Sequence, residues 1–150
     1  DTRKTIPGLR ILEKDAVKHG GGTNHRMGLY DHFLIKNNHI TAAGSLSNAV
    51  AAAKRSPIKG QKIEVEARDM DEVKEAIASG ADIIMLDNME PEQVKNAVAT
   101  IGKAAKTEIS GNMTEEKIAS YLDSGVDFIS VGALTHSANA ADIHMLIRMN

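Results

Sequence analysis

Four short apolar stretches, each ending in a polar residue or glycine, recur at an almost constant distance, and this repeat limits the architecture more than any other feature of the chain. They are Ile63-Glu64-Val65-Glu66, Ile83-Ile84-Met85-Leu86-Asp87, Glu108-Ile109-Ser110-Gly111 and Phe128-Ile129-Ser130-Val131-Gly132; measured at Glu66, Asp87, Ser110 and Gly132 the steps are 21, 23 and 22 residues. That is the length of one strand plus one helix. Helix punctuation falls between them: Asp69-x-x-Glu72 as a capping box, Gly80 as a stop, Pro91 in a first turn, and Thr114 capping a helix that Gly125 ends. Apolar strands separated by helices build a parallel sheet with helices on its faces. A repeat that never changes pattern favours an α/β barrel over a doubly wound sheet.

Upstream, Thr2-Arg3-Lys4-Thr5 reads as the end of another strand and Pro7-Gly8 as a turn. A helix follows up to Gly20, with Ile11, Leu12, Ala16 and Val17 at helical spacing. Phe33 to Lys36 reads as a buried strand, and Ser45 caps an alanine-rich helix over about Leu46 to Lys54 that Pro57 and Gly60 terminate. Strand ends are therefore expected near Thr5, Lys36, Glu66, Asp87, Ser110 and Gly132. A complete eightfold barrel takes about 250 residues. A chain of 150 residues that opens on Asp1 is accordingly read as one incomplete barrel domain, residues 1–150, from a longer protein.

Charge points to a small anion as the ligand. The chain is −2 overall with a pI near 6.3, which argues against a nucleic-acid binder. Yet residues 1–39 carry seven Lys and Arg against four acids. The stretch from Gly20 to His39, GGGTNHRMGLYDHFLIKNNH, adds three consecutive glycines that allow close backbone approach and Lys36 at the mouth of a strand. There is no cysteine, which excludes thiolate metal sites and agrees with a reducing, cytoplasmic setting, and no apolar run is long enough to span a membrane.

In barrels of this kind the reactive groups sit at the C-terminal ends of the strands. Those ends carry Arg3 and Lys4, Lys36, Glu66, Asp87, Ser110-Gly111 and Gly132. Glu66 and Asp87 end apolar strands, where a carboxylate needs a cation or another partner, and oxygen ligands without cysteine suit Mg²⁺. Arg3, Lys4, Arg26 and Lys36 supply both the planar guanidinium suited to a carboxylate and the point charge suited to phosphate. His25, His32 and His39 follow one another at seven residues, which fits no local zinc motif, so each is read as a polar packing or loop residue. His136, four residues after Gly132, is better placed to meet an anion. Ser110-Gly111-Asn112 and Val131-Gly132-Ala133, at consecutive strand ends, resemble a phosphate cradle.

The stretches DTRKTIPGLR, AVKHGGGTNHRMGLYDHFLIKNNH, IEVEA, IIMLDNM, EISGN and VDFISVGALTHSA occur in this order over nearly the whole chain. In them the chain resembles the C-terminal barrel domain of the quinolinate phosphoribosyltransferase family. The resemblance implies a seven-stranded, incomplete TIM-like barrel preceded by an N-terminal α/β domain, and at least a homodimer in which that domain of one subunit closes the site of another. It implies transfer of phosphoribose from 5-phosphoribosyl 1-pyrophosphate to quinolinate with loss of carbon dioxide, giving nicotinate mononucleotide and pyrophosphate, with Mg²⁺ as cofactor.

By motif, Arg3, Lys4, His25 and Arg26, with Thr2 beside them, would hold the quinolinate dicarboxylate. Lys36 and His136 would face the donor phosphates, and Glu66 and Asp87 would serve Mg²⁺ and the ribose. Ser110, Gly111, Asn112, Val131, Gly132 and Ala133 would cradle the 5-phosphate, with Lys4, Lys36, Glu66 and Asp87 as the catalytic set. Two positions depart from the family pattern: Asn37 stands where aspartate is usual, and Asn112 where glycine is usual. The alternatives are a nicotinate phosphoribosyltransferase, which needs fewer cations for one carboxylate, and a non-catalytic anion-binding relative, which gains nothing from Glu66 and Asp87.

Overall fold

The computed structural model describes residues 1–58 and 60–149. Its centre is a parallel sheet of five strands in sequential order: β1 (Phe33–Ile35), β2 (Ile63–Ala67), β3 (Ile83–Asp87), β4 (Lys106–Ser110) and β5 (Phe128–Ile129). Helices α1 (Arg10–His19), α2 (Asn37–Ala43), α3 (Leu46–Lys54), α4 (Met70–Ser79), α5 (Pro91–Ile101), α6 (Glu115–Ala119) and α7 (Ala133–His136) connect and flank them. The strand-helix repeat read from the sequence is thus present, and the expected strand ends at Asp87 and Ser110 coincide with those of β3 and β4.

The sheet has two unlike faces because strand side chains alternate. Val65, Ala67, Ile84, Leu86 and Ile109 point into an aliphatic core with Val50, Val73, Ala76, Val94 and Ala97 from α3, α4 and α5. The opposite face carries Glu64, Glu66, Asp87, Glu108 and Ser110, interspersed with Leu34, Ile83 and Met85, and Lys36 follows at the end of β1. Register is fixed by acids that precede the strands: Asp82 accepts from the Ile63 N–H (2.8 Å), and Asp127 accepts from the Thr107 N–H (2.9 Å) and hydroxyl (3.0 Å).

Capping follows the sequence closely. The Asp69 carboxylate accepts from the backbone of Asp71 and Glu72, Ser45 from Asn48, and Thr114 from Lys117, while Gly80 closes α4 at φ 69°. The reciprocal half of the Asp69 box is displaced by one residue, for Glu72 accepts from the Arg68 N–H instead.

Four expectations change. Asp1–Thr5 forms no strand; it runs beside α7, where the Thr2 and Thr135 hydroxyls meet at 3.3 Å. The helix expected to reach Gly125 stops at Ala119 and resumes as a short 3₁₀ turn, Leu122–Ser124, because Tyr121 turns inward and donates its hydroxyl to the Met89 carbonyl at 2.8 Å. On α1 the buried face is Lys14 and Val17, and Ile11 and Leu12 lie exposed. Finally, Gly20, Gly21 and Gly22 turn their N–H groups back onto Ala16, Lys18 and Val17 and close α1. They form a helix stop and do not cradle an anion.

Candidate active site

The polar ends of the strands open on a cavity of about 630 Å³. Lys36, Glu66, Asp87 and Ser110 reach it from successive strand ends; Gly132, where a strand end was expected, lies three residues past the end of β5 at Ile129 and starts α7 at the same cavity, and the loop between α1 and β1 brings His25 and Arg26 to the same space. Thr2, Arg3, Lys4, Gly111, Asn112, Ala133 and His136 complete the set proposed from sequence. Of those residues only Val131 does not line the cavity; it packs its side chain against the core instead. Ser130, one position earlier, takes its place at the wall.

One wall is cationic. Arg10 ties its two segments together, donating to the carbonyls of Arg3 (3.0 Å) and Met27 (3.2 Å) and to the Thr5 hydroxyl (3.0 Å). Arg26 is buried and gives one N–H to the His32 carbonyl at 3.3 Å. Burial and then the Arg3 charge push its guanidinium below the usual arginine value, opposed by Glu64 and Asp31. The Nε atoms of both Arg3 and Arg26 are buried without a partner. Both residues also line the cavity, so their guanidiniums bring positive charge to its wall although these two nitrogens are closed off from it.

His25 is held from three sides. Its N–H donates to Asp1 Oδ1 at 2.7 Å, and Lys14 Nζ donates to the same oxygen at 2.7 Å and to the His25 carbonyl at 3.2 Å. Burial, then Arg10, push the Lys14 ammonium below its ordinary value. On the side chain, Nε2 of His25 and Nε2 of His32 both reach Glu64 Oε2 at 2.8 Å, with the two rings edge to face, 5.0 Å between centroids. Burial pushes the Glu64 carboxyl up, but the two imidazole hydrogen bonds and the histidine charges outweigh it and hold it at about 2. Glu64 is therefore an acceptor only, and both imidazoles donate.

His25 and His32 are polar packing residues of a loop, as the sequence suggests, and the loop folds both onto one carboxylate. Glu64 itself was missed, although its signal was present: in Ile63-Glu64-Val65-Glu66 the two glutamates are one strand period apart and must share a face. Glu108, two residues before Ser110, repeats the pattern. Its buried carboxyl accepts from the Ser130 hydroxyl at 2.5 Å, and burial followed by the Glu64 charge push it above the ordinary carboxyl value. His39 lies outside the cavity lining and serves α2, accepting the Lys36 N–H on Nδ1 at 2.9 Å.

The other wall holds the carboxylates and the turns. Lys36 pairs with Glu66, and Asp87 Oδ1 accepts from the Asn88 amide (3.0 Å) and the Ser110 hydroxyl (3.2 Å). Two cavity-facing carboxylates are the kind of donor set Mg²⁺ takes, since that ion is held by one or two carboxylates and completes its octahedron with water and substrate oxygens. Gly111 adopts φ 113°, and a Cβ there would lie 2.2 Å from Asn88 Oδ1. Asn112 adopts φ 49°, the left-handed region that asparagine tolerates better than most residues.

The profile of the family described as quinolinate phosphoribosyl transferase, C-terminal domain, matches residues 1–146. The chain is 47% identical over 150 residues to the probable nicotinate-nucleotide pyrophosphorylase [carboxylating] of Bacillus subtilis, covering all of this chain and 52% of that protein. It is 46% identical to the chloroplastic nicotinate-nucleotide pyrophosphorylase [carboxylating] of Arabidopsis thaliana, covering 98% of this chain and 47% of that protein. Among solved structures, the nicotinate-nucleotide pyrophosphorylase of Francisella tularensis superposes with a TM-score of 0.89 at 47% identity, over 93% of this chain and 49% of that one. The chain spans about half the length of the curated relatives it matches.

Proposed function

The chain belongs to the quinolinate phosphoribosyl transferase family, and we propose that it is the barrel domain of a longer, carboxylating nicotinate-nucleotide pyrophosphorylase. The five-stranded sheet is then the greater part of a seven-stranded barrel, the N-terminal domain lies elsewhere in the protein, and the working unit is a homodimer or larger. The reaction joins quinolinate to 5-phosphoribosyl 1-pyrophosphate and yields nicotinate mononucleotide, pyrophosphate and carbon dioxide. The observation that carries this reading is the cluster of Arg3, Lys4, His25 and Arg26 lining the same cavity as the carboxylates of Glu66 and Asp87.

In this reading Arg3, Arg26, Lys4 and His25 bind the two carboxylates of quinolinate and hold its ring nitrogen towards the ribose. The C1–O bond to pyrophosphate breaks as the N–C1 bond forms, so positive charge grows on the ribose ring while negative charge grows on the leaving group. Lys36 exchanges its partner Glu66 for the departing phosphate, and His136 supports the same charge. Glu66 and Asp87 lie where carboxylates favour an oxocarbenium-like ring, and electrostatic stabilisation of developing charge is commonly the largest catalytic contribution. They would also hold Mg²⁺, which when bound neutralises pyrophosphate oxygens.

The turns Ser110-Gly111-Asn112 and Gly132-Ala133 receive the 5-phosphate. The positive charge of the new pyridinium nitrogen then stabilises the electron pair left on C2 when the C2–carboxyl bond breaks; carbon dioxide leaves, and that pair takes up a solvent proton. No organic cofactor enters. The reading is tested by chromatographic detection of nicotinate mononucleotide made by the full-length protein: product that requires both substrates supports it, and a folded protein that binds quinolinate without forming product favours the anion-binding alternative.

A further inference from the structure

Three side chains of the kind that ligate metals meet at one edge of the cavity. His25 and His32 come from the loop before β1 and Glu64 from β2; a nitrogen of each ring and a carboxylate oxygen lie within 4.8 Å of one another, with both Nε2 atoms 2.8 Å from Glu64 Oε2. No other group of histidine, aspartate and glutamate among the described residues comes together in this way. Glu64 has no exposed surface, and its second oxygen, Oε1, has no hydrogen-bond partner. A buried carboxylate oxygen left bare is rare and calls for a donor or a cation. The proposed reaction places Mg²⁺ at Glu66 and Asp87 and uses His25 alone of this trio.

From this geometry we propose that His25, His32 and Glu64 form a site for a divalent transition metal, Zn²⁺ above all, distinct from the carboxylates assigned to Mg²⁺. Two imidazole nitrogens and one carboxylate oxygen are a donor set that zinc takes, whereas Mg²⁺ demands oxygen. Zinc holds such atoms at about 2.0–2.2 Å, which at tetrahedral angles sets them about 3.4 Å apart. The two 2.8 Å contacts must therefore open by about 0.6 Å, which a small tilt of two loop-borne rings supplies. The ion takes the place of the two Nε2 protons, and each ring stays neutral with its proton on Nδ1. His25 lines the cavity, so water from it completes the fourth position, the open arrangement of zinc sites with three protein ligands.

Charge alone does not select for a cation here. Lys14 and Asp1 both bond the backbone of His25 and offset each other, Arg26 donates to the His32 carbonyl with Arg3 nearby, and Glu108 acts against the two guanidiniums. Selection comes from the nitrogen donors, which favour zinc over Mg²⁺. The seven-residue spacing of the histidines hides the site because the third ligand lies 32 residues beyond His32, on another element.

The test is made on the full-length protein, free of any histidine tag and stripped of metal by chelation. It is titrated with zinc chloride by calorimetry, and zinc K-edge X-ray absorption is recorded at one equivalent. One equivalent is expected to bind with a Kd of about 1 μM or tighter, with two imidazoles and oxygen around the ion. Losing an outer-shell partner costs about 10–100-fold in metal affinity, so His32→Ala, which removes a ligand outright, is expected to cost at least about a hundredfold. Asp87→Asn should keep its zinc affinity within about threefold, the change expected of a residue outside the ligand set and its outer shell. The proposal is overturned by the lack of such an equivalent, by a wild-type spectrum with fewer than two imidazoles, by a folded His32→Ala that keeps its affinity, or by loss of zinc from Asp87→Asn instead. The wild-type spectrum decides even where His32→Ala does not fold. None of these readouts requires product formation, so the site stands or falls separately from the function proposed above.

Discussion

Gly111→Ala is the substitution whose effect can be worked most completely from the structure. At φ 113° an alanine is strained, and its Cβ would fall 2.2 Å from Oδ1, 2.5 Å from Cγ and 3.0 Å from the backbone nitrogen of Asn88. Holding a non-glycine residue in such a conformation costs about 1–3 kcal/mol, and forcing a side chain out of a packed position costs about 1–3 kcal/mol more. We expect a loss of about 3 kcal/mol in urea denaturation, together with a raised KM for the phosphoribosyl donor, because the displaced Asn88 amide no longer donates to Asp87. The double variant Gly111→Ala/Asn88→Gly removes the side-chain clash and relieves Asn88, itself at φ 54°, but leaves the strain at residue 111. About half the stability should return, a coupling well above the few tenths of a kcal/mol expected of independent sites. A single variant within about 0.5 kcal/mol of wild type, or a double variant less stable than the single, would refute the reasoning.

Other outcomes follow from the same contacts. The carboxyl of Glu64 sits at about 2 in the fold against 4.5 for a free side chain, so its contribution, on the order of 3 kcal/mol, is present above about pH 4.5 and lost as pH falls towards 2. Urea midpoints measured between about pH 6 and pH 3 should therefore fall more steeply for wild type than for Glu64→Gln. Glu108, pushed the other way, favours the fold while protonated and loses that contribution as pH rises through its raised value, so Glu108→Gln should be at least as stable as wild type at neutral pH. Tyr121→Phe leaves the buried Met89 carbonyl without its donor and should cost about 1–3 kcal/mol in thermal or urea unfolding, with kcat unchanged. Chelation of Mg²⁺ should abolish turnover, and Asp87→Asn should raise the Mg²⁺ concentration needed to restore it.

What could be read beforehand and what could not divide along a physical line. Strand ends and helix caps are local: Ser45, Asp69, Gly80 and Thr114 act within a few residues of themselves and cap where expected, and the strand ends expected near Glu66, Asp87 and Ser110 are present. The strand expected to end at Gly132, by contrast, stops at Ile129, and none ends at Thr5. Cavity residues followed, because the strand ends converge once the sheet is parallel. The triple glycine misled because the same residues that let a backbone approach a ligand also end helices, and only the helix length decides which use is made. His25 and His32 could not be paired in advance, since what joins them is Glu64, 32 residues further along and on another element. The exposure of Ile11 and Leu12 likewise depends on what α1 packs against, which helical spacing does not state.

The most direct measurement is release of carbon dioxide from carboxyl-labelled quinolinate by the full-length protein, with and without 5-phosphoribosyl 1-pyrophosphate and Mg²⁺. The account predicts release that requires both and that falls sharply in Arg26→Ala, where one of the two cavity-lining guanidiniums is gone. Donor-independent release, or none from a folded full-length oligomer supplied with both, would contradict it.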